Sequence, residues 1–239
     1  MTGERGGRVV RIVRGRAATR EADRGATEAM GEETAETGVP AFRAWTPHRQ
    51  VAFGRRDAHA DGYETAREAA ESRGFPALER SVGGRAVAYT GRTVAFASAV
   101  PVANDRTGMD DRYETATTGV VRALRSLGVP ARRGEPPASF CPGDHSVQAH
   151  GKICGIAQRI RREVALVSGV VVVADHAEIA AVLEPVYEAI DVPFDPDSVG
   201  SVARGGGPAD PERVARALED AFVGDTEPRV VEVAGSTGD

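Results

Sequence analysis

The strongest constraint on the fold is a pair of adjacent apolar stretches in the second half of the chain. Residues 152–156 are typical of a strand, and the chain then turns and continues as a longer strand over residues 163–173. Consecutive strands joined by a short turn form an antiparallel hairpin. Residues 146–148 form a third, short strand just before it. Such a hairpin can carry Cys141 and Lys152 to the same end of a sheet, which places a nucleophile beside a cation.

Lys152 is the one lysine among the 30 Lys and Arg residues of the chain. A coding bias toward arginine explains the skew, but not why one lysine remains. Arginine is planar and forked, whereas the lysine ammonium is a compact charge with three rotatable donors. A chance surface residue is the alternative. Gly151 just before the lysine and Gly155 three residues after it let backbone approach a ligand closely, which favours a binding role.

The composition excludes several classes of protein. A net charge of −5 is too mild for a nucleic-acid or anionic-membrane partner, and no basic stretch is interleaved with aromatic residues. Cys141 and Cys154 are too few for a disulfide framework. The first residues lack the apolar core of a signal peptide, and no apolar run is long enough to cross a bilayer. The sequence therefore predicts a cytoplasmic protein that binds neither nucleic acid nor membrane.

Hydrophobic periodicity predicts the remaining elements. Strands are expected at residues 9–13, 42–45, 50–53 and 93–102, and helices at residues 17–36, 61–72, 177–190 and 211–222. The strands at residues 42–45 and 50–53 are expected around one turn. Another helix follows Asp110-Asp111, which can cap it, and ends at Gly128. Pro185 is expected to interrupt the helix at 177–190 or to delay its start.

These intervals do not form a regular series of strand–helix–strand units, and the chain has no internal repeat. The fold class predicted is α/β (α+β), with a largely antiparallel or mixed central sheet flanked by helices. We expect a single catalytic domain over residues 1–223 and a polar, frayed tail over residues 224–239.

Gly83-Gly84, with Arg80 before it and Arg85 after it, is a second candidate binding segment. Bare glycines let backbone amides approach a ligand, and an arginine fork can hold a phosphate or a carboxylate. The segment matches neither the dinucleotide-binding fingerprint nor the P-loop. A plain β-turn is therefore the alternative.

Cys141 is a candidate nucleophile because it precedes Pro142-Gly143, an unusual setting for a buried packing residue. A nearby ammonium would favour its thiolate, whereas an inert, half-buried thiol is the alternative. Cys154 lies on an alternating strand and is interpreted as a packing residue. His145 and His150 flank the hairpin and either can act as a base. No metal-ligand spacing links them with the cysteines, so no metal site is predicted.

Two motifs in a fixed order carry a family resemblance. Arg80 to Val87 reads Arg-Ser-Val-Gly-Gly-Arg-Ala-Val, and residues 151–159 read Gly-Lys-Ile-Cys-Gly-Ile-Ala-Gln-Arg. The chain thereby resembles the lipoate–protein ligase and octanoyltransferase family, which has a Gly-Gly motif after arginine and a later Gly-Lys-x-x-Gly-x-x-Gln-Arg motif. The likeness extends over residues 42–199. It implies a fold like that of the biotinyl and lipoyl transferases.

Within that family, Cys-Pro-Gly shortly before Gly-Lys is most similar to the cysteine-dependent amidotransferases. Those enzymes move an octanoyl or lipoyl group from the glycine-cleavage H protein to lipoyl domains, such as those of 2-oxoacid dehydrogenase complexes. The resemblance implies that Cys141 carries the acyl thioester, that Lys152 holds the acyl carbonyl and that no cofactor is needed. The substrate-binding positions it implies are Arg80, Gly83, Gly84, Ala86, Val87, Gly151 and Gly155.

The chain departs from the family pattern at two positions. Glu79 stands where the family often has a first arginine, which disfavours tight phosphate binding, and Tyr89 stands where many ligases have histidine. An ATP-dependent lipoate–protein ligase that uses Mg²⁺ and a lipoyl-adenylate stays open as an alternative. So does a non-catalytic subunit that presents acyl groups. A biotin ligase is disfavoured because its adenylate loop is not matched. The sequence is expected to lack the extra C-terminal domain that many ATP-using ligases need, which favours transfer, although split ligases keep that domain on a separate chain.

Overall fold

A computed structural model of the chain describes residues 9–80, 84–102 and 108–233. The strands are β1 (Val9–Arg14), β2 (Ala41–Trp45), β3 (Gln50–Phe53), β4 (Ala77–Glu79), β5 (Val87–Tyr89), β6 (Thr93–Pro101), β7 (Arg132–Arg133), β8 (Ser146–Gln148), β9 (Lys152–Arg161), β10 (Val164–Val172) and β11 (Glu227–Glu232). The helices are α1 (Arg20–Thr37), α2 (Tyr63–Glu71), α3 (Met109–Ser126), α4 (His176–Ala189) and α5 (Pro211–Val223), with a 3-10 turn at Pro196–Ser198.

The larger sheet has eight strands in the order β11-β1-β2-β6-β10-β9-β8-β7. Strand β1 runs parallel to both of its neighbours, and all other neighbouring pairs in this sheet are antiparallel. The predicted mixed sheet flanked by helices is therefore confirmed. No helix in the described ranges is long and apolar enough to cross a membrane.

The predicted hairpin is present as β9 and β10, and it is longer than expected. Strand β9 continues past Ile156 to Arg161, and Arg161 pairs with Val164. The two turn residues, Arg162 and Glu163, have φ angles of 50° and 60°. Positive φ at both central residues gives a turn whose twist matches that of the flanking strands, so the hairpin stays regular to its tip.

A second sheet of three strands has the order β4-β3-β5. It corrects one expectation, because β2 and β3 do not form one hairpin. Strand β2 pairs with β6 in the large sheet, whereas β3 pairs with β4 and β5. The short link at residues 46–49 therefore carries the chain from one sheet to the other.

Helices α4 and α3 differ from the prediction, α4 at its internal proline and α3 at its N-terminal cap. Pro185 lies inside α4 without interrupting it. The carbonyl that loses its helical partner belongs to Ala181, four residues earlier and exposed, so water can replace the bond. Helix α3 begins after Gly108, which has a φ of 72°, and no side chain caps it. Asp110 and Asp111 lie in its first turn, where they complement the helix dipole.

The expectation of a frayed end from Gly224 is wrong for residues 227–232. They form β11, which runs parallel to β1 from Val9 to Arg14. All six side chains of this edge strand are exposed, and its order comes from the backbone ladder with β1. Side-chain composition alone therefore did not reveal this strand.

The small sheet, α2 and α4 share one apolar core, and this core reaches the candidate nucleophile. Phe53, Phe75 and Tyr187 are among its fully buried members. Phe140, the residue before Cys141, is buried in the same core. Burial of the preceding side chain anchors the cysteine loop against the small sheet.

Candidate active site

The two predicted motifs meet where the small sheet approaches the start of β9. Arg80 follows β4 directly, and Gly84-Arg85 leads into β5. Cys141 lies in the segment between β7 and β8, and Lys152 is the first residue of β9. The structure thus brings Cys141 and Lys152 together, as the hairpin predicted, and it places Arg80 and Gly84 beside Cys141, while Gly83 lies outside the described residues.

The sulphur of Cys141 faces two N–H donors. Its Sγ atom lies 3.7 Å from Nη2 of Arg80 and 3.4 Å from the backbone nitrogen of Arg85. Gly84 has a φ of 90°, and a Cβ built on it would lie 2.9 Å from the sulphur and 3.0 Å from Nη2 of Arg80. A glycine is required here both by the backbone conformation and by this close approach.

The backbone of Cys141 is held on both sides. Its N–H donates to the hydroxyl of Tyr187 at 2.6 Å, and that hydroxyl donates to the carbonyl of Ala86 at 3.0 Å. Its carbonyl accepts from Nζ of Lys152 at 2.8 Å. Cys141 has a φ of 42°, an uncommon conformation for a residue with a Cβ. These bonds hold the residue in that conformation and fix the direction of its side chain.

Lys152 is fully buried and its ammonium uses all three donors. Nζ lies 3.0 and 2.9 Å from the two carboxylate oxygens of Glu135, besides the carbonyl of Cys141. It also lies 5.2 Å from the centre of the Phe140 ring. The predicted neighbourhood of Lys152 and Cys141 is therefore correct, but the ammonium bonds the carbonyl of the cysteine residue rather than its sulphur. Glu135 supplies the negative charge that a buried ammonium needs.

The side chain of Arg85 is engaged within the protein, contrary to the expectation that its fork is available to a ligand. Nη1 of Arg85 lies 3.0 Å from the carboxylate of Asp57. Asp57 is buried, and its other oxygen accepts from the backbone nitrogen of Gly54 at 3.0 Å. The contribution of Arg85 to the site is thus its backbone N–H.

The glycines of the second motif have different surroundings. A Cβ on Gly151 would lie 2.6 Å from the nitrogen of Gly200 and 2.8 Å from the carbonyl oxygen of Ser198. The chain's own backbone therefore fills the space in which a ligand was expected. A Cβ on Gly155 would lie 3.4 Å from Cε of Lys152, so Gly155 contributes a wall of the lysine's cavity.

The apolar positions of the first motif lie in the wall of the small sheet. Ala86 and Val87 are buried, and Val87 pairs with Ala52 of β3. Burial raises the pKa of Tyr89, although the charge of Arg80 opposes that rise. This segment forms the apolar side of the candidate site.

The other candidate residues, Cys154 and His145, pack against neighbouring parts of the protein. Burial raises the pKa of the Cys154 thiol to about 12, although the charge of Lys152 opposes that rise. The ring of His145 stacks on Tyr113 with a centroid distance of 3.7 Å. Within the described ranges no group of three or more His, Cys, Asp and Glu residues can hold a metal ion.

Sequence reasoning missed Glu135, Tyr187 and Asp57. Glu135 stands in a Gly-Glu-Pro-Pro loop, and Tyr187 lies on α4, 46 residues after the cysteine it bonds. None of the three belongs to a spaced motif. Asp57 has a weak local signal, since it closes the turn that begins at Gly54 through a short-range hydrogen bond.

Comparison with protein families decides the class of the chain. The Lipoyl protein ligase A/B catalytic domain matches residues 25–223, which include both motifs and the whole site. The chain belongs to this family. The family resemblance predicted from the motifs is therefore confirmed.

Two curated relatives are octanoyltransferases of Kyrpidia tusciae. The octanoyl-[GcvH]:protein N-octanoyltransferase is 34% identical over 132 residues, which cover 55% of this chain and 46% of the relative. Octanoyltransferase LipM is 30% identical over 185 residues, which cover 67% of this chain and 66% of the relative. The chain thus spans about half the length of the first relative and just under two thirds of the second.

The solved structures show the fold. The crystal structure of a lipoate-protein ligase A bound with ATP superimposes with a TM-score of 0.73 at 20% identity, and covers 96% of this chain and 90% of that one. At this identity the likeness concerns the fold, which is that of the lipoate-protein ligases.

Proposed function

We propose that this protein is an octanoyltransferase that modifies the lysine of lipoyl domains through a thioester on Cys141. One observation carries the proposal: the Cys141 sulphur lies between the Arg80 guanidinium and the Arg85 amide, beside a glycine whose missing side chain leaves room for both the sulphur and the guanidinium. The relatives named octanoyl-[GcvH]:protein N-octanoyltransferase support the same chemistry. The catalytic unit we propose is the single domain over residues 1–223.

The first step forms an acyl-enzyme. A lone pair of the Cys141 thiolate attacks the carbonyl carbon of an octanoyl-lysine amide on the donor, the glycine-cleavage H protein. The C–S bond forms, the C–N bond breaks, and the lysine amine leaves with the proton that the thiol gave up. Octanoyl-Cys141 and the free donor are the products.

The second step transfers the acyl group. The amine of an acceptor lysine, on a lipoyl domain such as those of 2-oxoacid dehydrogenase complexes, attacks the thioester carbonyl. The new C–N bond forms as the C–S bond breaks, and the proton lost by the amine returns to the thiol. No ATP or other cofactor is consumed, because the energy of the acyl bond passes from donor to enzyme to acceptor.

Lys152 has the role of holding the acyl carbonyl, a form of oxyanion stabilisation. Because its three donors are already engaged, one partner has to leave when the carbonyl arrives. The Glu135 side chain is 25% exposed and also accepts a hydrogen bond from the Ser139 hydroxyl, which it would give up on turning toward solvent. The other partner is a backbone carbonyl, so Glu135 is the partner that we propose moves. Gly84, Ala86 and Val87 line the proposed acyl site, and the two unpaired cysteines fit a reducing cytoplasm.

The test is an intact-mass measurement on this protein after incubation with an octanoylated H protein and no ATP. We expect one octanoyl adduct, removed by hydroxylamine, present in Cys154→Ala and absent in Cys141→Ser. An adduct that persists in Cys141→Ser rejects the thioester route.

Two other outcomes identify the alternatives. Modification of a lipoyl domain from free lipoate that depends on ATP and releases AMP identifies a lipoate–protein ligase, with Cys141 uninvolved. Binding of octanoate or lipoate without modification of any acceptor identifies a non-catalytic subunit.

A further inference from the structure

We infer that Arg80 is a catalytic residue whose guanidinium stabilises the thiolate of Cys141, rather than a binder of a ligand's phosphate or carboxylate. The assignment adds a residue to the proposed mechanism, and its relevance to acyl transfer rests on the proposed function. Its test does not use an acyl group.

The guanidinium is aimed at the sulphur by bonds within the small sheet. The backbone nitrogen of Arg80 donates to the carbonyl of Phe53 at 2.9 Å, which continues the pairing of β3 with β4. Nη2 donates to the carbonyl of Arg85 at 2.6 Å and lies 3.7 Å from Sγ of Cys141. Nη2 of Arg80 thus contacts both the Cys141 sulphur and Arg85, whose backbone N–H faces the same sulphur.

Neighbouring carboxylates are engaged elsewhere. Glu79, the adjacent residue, accepts from the hydroxyl of Tyr63 at 2.8 Å, and Asp57 pairs with Arg85. Among the described residues no carboxylate pairs with Arg80. Arg80 is partly buried, and its Nε atom is buried without a hydrogen-bond partner among the described residues. The thiolate of Cys141 would supply the negative charge that this guanidinium lacks.

The other charged groups around the sulphur are already balanced. Lys152 reaches the carbonyl of Cys141 and is neutralised by Glu135, while Arg85 is neutralised by Asp57. In the described part of the chain, Arg80 is therefore the cation at this sulphur whose charge no carboxylate balances. An opposite charge at this distance favours the ionised form of a titrating group.

The two buried hydroxyls near the pair remain neutral at physiological pH. Burial raises the pKa of both Tyr89 and Tyr187. Burial alone would lower the pKa of Arg80, but ionisation of the neighbouring Tyr89, Cys141 or Tyr187 would raise it by more, so the net shift of the Arg80 pKa is upward. Arg80 therefore keeps its charge throughout the pH range in which a thiol titrates.

Gly84 makes the contact possible. Any larger residue would place its Cβ within 3.0 Å of both the sulphur and the guanidinium. A Cβ at residue 84 would occupy the space between the Cys141 sulphur and the Arg80 guanidinium. The glycine of the first motif thus has a role in the pairing as well as in the turn.

The test measures the rate at which iodoacetamide alkylates Cys141, followed by intact mass in a Cys154→Ala background. The thiolate attacks the methylene carbon, the C–S bond forms and iodide leaves, so the rate reports the thiolate available. Iodoacetamide is uncharged, and a loss of rate therefore does not come from lost attraction of the reagent. We expect Arg80→Gln to alkylate at least about tenfold more slowly than the parental protein at pH 7, and we expect this difference to shrink as the pH is raised.

The matched control is Arg92→Gln, because Arg92 is half-exposed and pairs with Asp175. It should alkylate at the parental rate at every pH. Arg80→Met, which keeps the apolar stem and loses the charge, serves if Arg80→Gln does not fold, as judged by circular dichroism. Parental rates at pH 7 in either folded Arg80 variant overturn the assignment.

The two tests fail independently. An Arg80 effect on alkylation stands even if no octanoyl adduct forms with the H-protein donor. Conversely, an octanoyl adduct on the parental protein together with unchanged alkylation in Arg80→Gln keeps the transferase and rejects the role of Arg80.

Discussion

Both carboxylate oxygens of Glu135 lie within 3.0 Å of the Lys152 ammonium, which is itself fully buried. This pair connects the loop that precedes the candidate nucleophile to the first residue of β9. Removing either charge leaves the other without its counter-charge.

Glu135→Gln should destabilise the protein. The substitution leaves the Lys152 ammonium buried without its counter-charge, and we expect a loss of about 2–4 kcal/mol in the free energy of unfolding. Urea unfolding measures the loss. Glu114→Gln is the control, since Glu114 pairs with Arg133 at the surface and should change stability by less than about 1 kcal/mol. Equal losses in the two variants would contradict the role of burial.

Lys152→Arg should be nearly as damaging to transfer as Cys141→Ser. The charge is kept, but a planar fork does not reproduce the three rotatable donors that reach Glu135 and the carbonyl of Cys141. Adduct formation from the octanoylated donor measures the effect. Parental rates in Lys152→Arg would show that charge alone is sufficient.

Tyr187→Phe removes one hydroxyl and leaves two buried backbone groups, the N–H of Cys141 and the carbonyl of Ala86, without that partner. We expect a loss of about 1–3 kcal/mol in the free energy of unfolding. Adduct formation should slow as well, because the positive φ of Cys141 is no longer held. A variant with reduced stability but a parental adduct rate would assign the hydroxyl to stability alone.

Gly84→Ala should abolish adduct formation, and Gly91→Ala should not. The two glycines have nearly the same φ, 90° and 89°, but nothing lies within 4 Å of a Cβ on Gly91. Backbone strain of about 1–2 kcal/mol is thus common to both variants, while the clash with Cys141 and Arg80 belongs to Gly84. Unfolding in urea compares the strain, and intact mass compares the chemistry. Loss of the adduct in both variants would assign the effect to strain.

The thiol of Cys154 should make the folded protein less stable at alkaline pH. Burial raises its pKa to about 12, whereas an unfolded thiol ionises near pH ~8.5. Between these values the unfolded chain releases a proton that the folded chain retains, so the free energy of unfolding falls as pH rises. Relative to Cys154→Ala, we expect the parental protein to lose about 1.4 kcal/mol per pH unit above pH ~9. Urea unfolding at several pH values measures this, and parallel curves for the two proteins would contradict it.

Local pattern was sufficient for much of the fold. The β9–β10 hairpin, helix α5 and strand β1 were predicted within a few residues, because alternation and helical spacing are properties of short segments. The separation of β2 and β3 into two sheets was not predictable in this way. Strand partners are chosen by packing over the whole chain, and β2 and β3 are separated by four residues that read as an ordinary turn.

The same division applies to Pro185 and β11. Proline inside a helix removes one backbone donor, but whether the helix continues depends on what replaces the bond at Ala181. The polar end of the chain becomes a strand because β1 offers it an open edge. Neither the exposure of Ala181 nor the open edge of β1 can be read from the residues next to Pro185 or to β11.

Local sequence features were sufficient to identify the candidate residues for the chemistry. The solitary Lys152, the Cys-Pro-Gly segment and the Gly-Gly pair are local features, and their order along the chain was sufficient to indicate the family. Which charged group contacts which atom depends on how the chain folds. Arg80 is 61 residues from Cys141, and it reaches the sulphur because the small sheet is packed against the cysteine loop, while Lys152, only 11 residues away, is held by Glu135. Coulombic partners are set by distances in space, and no spacing along the chain contains them.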